Sequence, residues 1–377
     1  MRLVQSQYLD DGRGYSRGQK ADVIEIESPA DFDLLLSNLA ASNFYDGDYL
    51  HNTLGYTSYP LKLENLVLAA MLDWLAPGAL LELGCGKGDV LFLLDLRGRA
   101  QVRGLDISPT MLEQAWPSIR PRLSLGDLLQ LAPAYQEQGL KFNTVCGFDI
   151  WEHLHPQRLQ AYIQAMLSLA TDDAQFVFII PGYGQDRVFG EIFPLEFEEN
   201  RAAFEARQPF PFLTAAHTDP PIPISGHLIW AHTEWWERQL SDQGLVRCSL
   251  LEKNLHKFFD DFLHIAQRSF YVFRRQTRAA KKRERWRASH PLSQFVTWHL
   301  LYLYEREVRR HEQQLGQQIM DPRRRQEMSD IGMEKLLWHL DHDIRQLAKP
   351  LPWRAEWLIQ RFMPLHLKDK LWKLMGR

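Results

Sequence analysis

Cysteine is scarce: Cys85, Cys146 and Cys248 are the only three in 377 residues. Their wide spacing makes neither a disulfide framework nor a zinc pattern, so a reducing, cytoplasmic setting is expected. No run of 18 apolar residues occurs, and no transmembrane helix is expected. The opening stretch MRLVQSQYLDDGRGYSR lacks an apolar core and does not read as a secretory leader. Repeats at periods of about 20–50 residues are absent, which excludes solenoids and propellers. A strong overall charge is also missing, since the net is only −3. That small value hides an asymmetry: residues 271–377 carry +11 and residues 1–270 carry −14. A basic tail on an acidic body either meets an anionic partner or neutralises the body itself, and both readings stand.

What remains is ordinary globular composition, 45% hydrophobic and 24% charged, enough for one large domain with extensions or for two domains. Residues 1–27 are weakly patterned. Ser28-Pro29 before ADFDLLLSNLA reads as a capped helix, and an aromatic, turn-rich segment fills 43–60. Leu63, Leu66, Val67, Ala70 and Trp74 then recur at helical spacing, stopped by Pro77-Gly78. Short apolar strands are expected at 79–83, 101–108, 122–127, 142–150 and 174–180. Helices are expected between them at 89–96, 109–116 and 156–170. The alternation implies right-handed βαβ units and a parallel sheet.

The rhythm breaks over 181–226, which holds seven prolines and six phenylalanines and reads as a lid or binding insertion. A helix at 232–243 and strands at 245–253 and 268–275 follow, the last two close enough to pair antiparallel without a long helix between them. Beyond 275 no strand is expected. KKRERWR is a charge run, 291–312 and 323–348 read as long helices, and 351–377 as two short amphipathic helices broken at Pro364.

The most informative stretch is LLELGCGKGDV, residues 80–90. A triphosphate-binding loop needs a lysine and a hydroxyl after the last glycine, but Gly88 is followed by Asp89 and Val90. A dinucleotide loop needs G-x-G-x-x-G, and this one is a residue shorter. Glu82, just before the glycines, suits a cationic ligand better than a pyrophosphate.

Four motifs in order resemble those of the class I (Rossmann-like) S-adenosylmethionine (SAM)-dependent methyltransferases. Glu82-Leu83-Gly84-Cys85-Gly86-Lys87-Gly88 matches that family's acidic glycine signature. Asp106, followed by Ile107, ends the second strand, where the family's acid takes the ribose hydroxyls. Gly126-Asp127-Leu128 ends the third, where the family's acid meets the adenine amino group. Gly147-Phe148-Asp149-Ile150-Trp151-Glu152-His153-Leu154 resembles its motif after the fourth strand. The resemblance covers roughly residues 61–275. It implies a seven-stranded, mostly parallel sheet with an antiparallel last strand, flanked by an N-terminal helical and aromatic cap (1–60) and a basic α-helical extension (276–377). Residues 181–230 would form a lid over the acceptor. The implied cofactor is SAM, released as S-adenosylhomocysteine (SAH).

Each position also has a plainer reading. The glycines can serve a tight strand-to-helix turn, Asp106 can cap the helix near Pro109, Asp127 can be a turn acid, and Glu82 can hold the loop through backbone amides. Tyr56 and Tyr59, with Tyr45 and Tyr49, either close over the cofactor or pack the loop on the core.

Methyl transfer from a sulfonium mainly needs a positioned acceptor, with a base near neutral pKa where the acceptor must lose a proton. His153, after the fourth strand, and His227, at the exit of the insertion, are the two catalytic candidates, while His155 and His232 read as helix starts. The expected acceptor is a small molecule, a glycan or a lipid-linked compound methylated at oxygen. RNA or protein methylation, or a non-catalytic SAM-binding scaffold, are the alternatives. Asn/Asp-Pro-Pro-aromatic, usual for N-methylation of amides and exocyclic amines, is replaced by Gly-Phe-Asp-Ile.

Nucleic acid is not expected as a partner, because only Trp286 interleaves the basic run. Residues 350–377 have the composition of an interfacial helix, so peripheral contact with the inner face of a membrane stands beside packing on the body or on a second subunit. His339 and His342 read as a solvated helix face, and no metal site is expected.

Overall fold

Two β-sheets organise the protein. The computed structural model describes residues 1–9, 20–46, 63–75, 78–99, 101–183, 197–216, 218–263, 270–289, 295–316, 318 and 322–323. The expected helix at 323–348, Tyr49, Tyr56, Tyr59, His339, His342 and the tail 350–377 lie outside the described residues.

The chain starts with β1 (Arg2–Leu9) and β2 (Lys20–Glu25), an antiparallel pair, followed by a helix at Ala30–Ala41. Helix Leu63–Leu75 leads into β3 (Leu80–Leu83), helix Asp89–Leu96, β4 (Val102–Asp106) and the short helix Pro109–Glu113. Next come β5 (Leu123–Leu125), helix Leu128–Glu137, β6 (Phe142–Phe148), helix Leu159–Leu169 and β7 (Ala170–Ile179). The insertion contributes a helix at Glu198–Ala206 and β8 (Phe212–Thr214). Helix Thr233–Ser241, β9 (Leu245–Arg247), helix Ser249–Leu263 and β10 (Phe270–Arg275) complete the sheets. Helices Arg278–Ala288 and Phe295–Leu315 follow.

The main sheet has seven strands in the order β5-β4-β3-β6-β7-β10-β9. The first five are parallel, and β10 runs antiparallel to both of its neighbours. Order reverses at β3, so a switch point falls between β3 and β6, where open α/β sheets hold ligands. β3 is buried along its whole length, as a strand covered on both faces must be.

The second sheet, β1-β2-β8, ties the first residues of the chain to the insertion. Its hairpin is the order hidden in residues 1–27, where Val23 and Ile24 are fully buried. The 181–226 insertion is thus partly regular, and its exit rejoins the core.

Two further expectations differ from the structure. The segment 245–253 is a strand only to Arg247, after which Leu251, Glu252 and Leu255 turn inward at helical spacing. Glu252 holds that corner, accepting from Arg247 Nε (3.0 Å) and from the Val272 N–H (2.8 Å). The basic run is not simply a solvated helix either. Arg283 and Arg287 are buried, and Arg283 Nη1 donates to the carbonyls of Asn143 (2.9 Å) and Asp173 (3.2 Å). The last described helix joins the same core: Tyr304 meets Trp116 edge-on, and Trp116 stacks on Phe92 at 4.3 Å. Among the described residues no helix is long and apolar enough to cross a membrane.

Candidate active site

A cavity of about 510 Å³ lies at the carboxyl ends of β3, β4, β5 and β6. The turn after β3 forms its floor. Gly84 adopts φ +64°, and a Cβ there would stand 2.5 Å from Ile150 Cδ1, so only glycine lets the two strand ends approach this closely. Asp106 ties that turn to the next strand, its Oδ2 accepting from the Gly86 N–H (2.7 Å) and its Oδ1 from the Ser108 N–H (2.9 Å). Ser108 caps the following helix, and Asp46 reaches across to accept from Ser108 Oγ (2.5 Å) and the Thr110 N–H (2.9 Å).

The floor is acidic. Burial pushes the Glu82 carboxyl well above its usual range, and the negative charges of Asp89 and Asp106 push it further. Burial also raises Asp106. Lys87 Nζ, 3.3 Å from Asp89, offsets part of this charge. Such a pocket favours a ligand carrying positive charge, which would return these carboxyls to their ionised form. SAM, with a sulfonium and an ammonium, fits that demand.

Asp127 is the N-cap of helix Leu128–Glu137, accepting from the Leu129 N–H (2.7 Å), and it also accepts from Tyr162 Oη (2.5 Å). The turn-acid reading therefore describes its present bonds, although the residue also lines the cavity. Of the sequence-predicted cofactor residues, Glu82, Gly84, Cys85, Gly86, Asp106, Ile107, Asp127, Leu128 and Phe148 line the cavity. Gly88 and Gly126 sit at positive φ in the turns after β3 and β5, while Gly147, within β6, is close to Ile150 and Trp151.

The other end of the cavity joins His153 and His227, whose rings meet edge-on at 4.8 Å although 74 residues separate them. Nε2 of each lies 3.7 Å from Glu152 Oε1, and Glu152 is fully buried. His153 Nδ1 is 3.1 Å from the Gly226 carbonyl, which can only accept, so the proton sits on Nδ1 and Nε2 keeps its lone pair. Burial lowers His153 to about 4 and His227 well below its ordinary value, so both rings are neutral. The backbone pins this corner too, because the Leu228 and Ile229 N–H groups both donate to the Glu152 carbonyl. His155 and His232 cap helices, as expected.

Sequence reasoning undervalued three residues. Tyr45 reaches His153 Nδ1 at 3.3 Å and lines the cavity, whereas the candidates Tyr56 and Tyr59 lie outside the described residues. Ser225 also lines it, from a turn that only the fold brings in. Glu152 stood in the quoted motif, but its burial between two histidines had no sequence signal.

Residues 80–173 match the family model described as "Methyltransferase domain". No curated protein matches the chain significantly. Among solved structures, a SAM-dependent methyltransferase from Archaeoglobus fulgidus aligns over 56% of this chain and 91% of its own, at 16% identity and TM-score 0.35. The CcbJ methyltransferase from Streptomyces caelestis aligns over 59% and 95%, at 16% identity and TM-score 0.36. The 1,6-didemethyltoxoflavin-N1-methyltransferase of Burkholderia thailandensis aligns over 65% and 89%, at 13% identity and TM-score 0.39. Likenesses this distant carry no information on the acceptor. With the strand order and the glycine turn after β3 that the sequence resemblance implied, residues 80–173 of the chain match a methyltransferase-domain family.

Proposed function

We propose that the protein transfers the methyl group of SAM to an oxygen atom of a small-molecule acceptor. The observation that carries this reading is the continuity of one cavity from the acidic glycine turn to the His153–His227 corner. A cofactor held by Glu82, Gly84, Cys85, Gly86, Asp106, Ile107, Asp127, Leu128 and Phe148 would supply an activated methyl carbon. Its volume of about 510 Å³ is in the usual range for small-ligand sites.

In the reaction, an acceptor oxygen lone pair forms the new C–O bond while the C–S bond breaks with its electrons on sulfur, giving neutral SAH. The acceptor's proton leaves to solvent or to an imidazole. An imidazole held near 4 is a weak base at neutral pH, so the pair chiefly orients the hydroxyl by accepting its hydrogen bond. The segment 181–230 acts as the lid, supported by Ser225 and His227 lining the cavity. The described part of the 1–60 cap contributes Phe44 and Tyr45, and the described part of the 276–377 extension holds the helices Arg278–Ala288 and Phe295–Leu315.

The test is calorimetric titration with SAM and SAH, then turnover measured as SAH release over a panel of small hydroxylated acceptors. Wild-type turnover in both His153→Ala and His227→Ala, with normal SAM binding, would remove the histidines from the mechanism. Failure to bind SAM or SAH would remove the reading itself.

A further inference from the structure

We infer that Glu152, His153 and His227 form a binding site for a single divalent transition-metal ion of the zinc class, at the acceptor end of the cavity. One ligand atom from each converges with the others within 4.8 Å. Two imidazole nitrogens and one carboxylate oxygen are a donor set that selects zinc-like ions over magnesium or calcium, which favour all-oxygen shells.

The distances separate this reading from a hydrogen-bonded relay. Nε2 of each histidine is 3.7 Å from the same Glu152 oxygen, beyond the reach of an N–H···O bond. Ligand atoms around an ion with bonds of about 2.1 Å stand roughly 3.4 Å apart in tetrahedral geometry, close to the 3.7 Å from each histidine to Glu152.

Two features preorganise the set. The Gly226 carbonyl takes the Nδ1 proton of His153, which turns the unprotonated Nε2 toward Glu152, the outer-shell bond that metal-binding histidines usually make. Backbone bonds from Leu228 and Ile229 to the Glu152 carbonyl lock the turn after β6 to the lid segment carrying His227.

Gly226 itself must be glycine. It sits at φ +73°, and a Cβ would fall 2.6 Å from Phe44 Cε1 and 3.3 Å from His153 Nδ1. His153 and His227 line the cavity, and Glu152 lies beneath them. With three protein ligands, a fourth position would face the cavity, where an acceptor oxygen could bind the ion in place of the hydrogen bond to the imidazoles. That consequence rests on the proposed methyl transfer, whereas the ligand set does not.

The experiment uses the full-length, tag-free chain, stripped with chelator and titrated with Zn²⁺, with and without SAH, by calorimetry and by elemental analysis after gel filtration. One equivalent per chain is expected. Co²⁺ should give the intense visible bands of a four-coordinate site. His227→Ala and Glu152→Gln, checked for folding by circular dichroism, should each lose at least about 100-fold in affinity. Should these buried variants unfold, histidine ¹⁵N spectra of the wild type give the same reading, because Zn²⁺ must shift the Nε2 signals of His153 and His227. Absence of stoichiometric binding in both the bare and SAH-loaded protein would overturn the site. So would full retention of the ion by a folded His153→Ala/His227→Ala variant, or Nε2 signals indifferent to Zn²⁺. SAH binding without the ion sinks this inference alone, and ion binding without SAM or SAH sinks the methyl-transfer reading alone.

Discussion

Gly226→Ala tests the joint between lid and core most directly. Two costs are expected there. A non-glycine residue at φ +73° incurs about 1–2 kcal/mol of backbone strain. The new methyl also drives into Phe44, whose ring is only 5% exposed, an overpacking cost of about 1–3 kcal/mol. Together they amount to roughly 2–5 kcal/mol of lost stability. Gly86→Ala is the control: its φ is +53°, but nothing stands within 4 Å of the added Cβ, so only the backbone part, about 1–2 kcal/mol, should appear. Urea titrations of both variants, with equal m-values, would give the difference. SAM affinity should survive in Gly226→Ala, because the glycine turn is at the far end of the cavity, while turnover should fall as His153 is displaced. Equal urea midpoints for the two variants would refute the packing described at Gly226.

Further outcomes follow from other parts of the site. Glu82 and Asp106 hold protons more tightly in the folded chain than in the unfolded one, so the ligand-free protein should lose stability as pH rises from the ordinary carboxylate range toward their raised values. SAM should reverse part of that loss and release a proton on binding, read as a dependence of binding heat on buffer ionisation enthalpy; no proton release would contradict a cationic ligand above these carboxyls. Asp127→Ala should cost about 1 kcal/mol through the lost helix cap, measured by urea unfolding, with an additional loss of SAM affinity only if the cavity-lining carboxylate also contacts the cofactor. Arg283→Met leaves the Asn143 and Asp173 carbonyls short of a donor and should destabilise by roughly 1–3 kcal/mol with little effect on SAM binding; an unchanged melting point would mean that this arginine is not holding the helix to the sheet.

Local chemistry explains what could be read from the chain. The glycine turn, the acids ending β4 and β5 and the alternation of strands and helices are each set by residues close in sequence, through backbone conformation, capping and periodicity. The position of the cavity followed, because open parallel sheets hold ligands outside the carboxyl ends of their strands. Elements whose pattern depends on distant partners were harder to see. The hairpin of β1 and β2 is completed by β8 from the insertion, and the turn inward after Arg247 depends on Glu252 meeting the backbone of β10. The same holds for Arg283, whose guanidinium reads as surface charge until strand-end carbonyls are placed around it.

The sequence by itself determined a mostly parallel Rossmann-like sheet and the end of it where a cofactor should sit, since these follow from short-range rules. Tertiary structure alone decided that His153 and His227 are one constellation rather than two rival candidates. It placed a buried glutamate between them and left a cavity over both, because that arrangement is made by packing the lid against the turn after β6, and no local pattern encodes it.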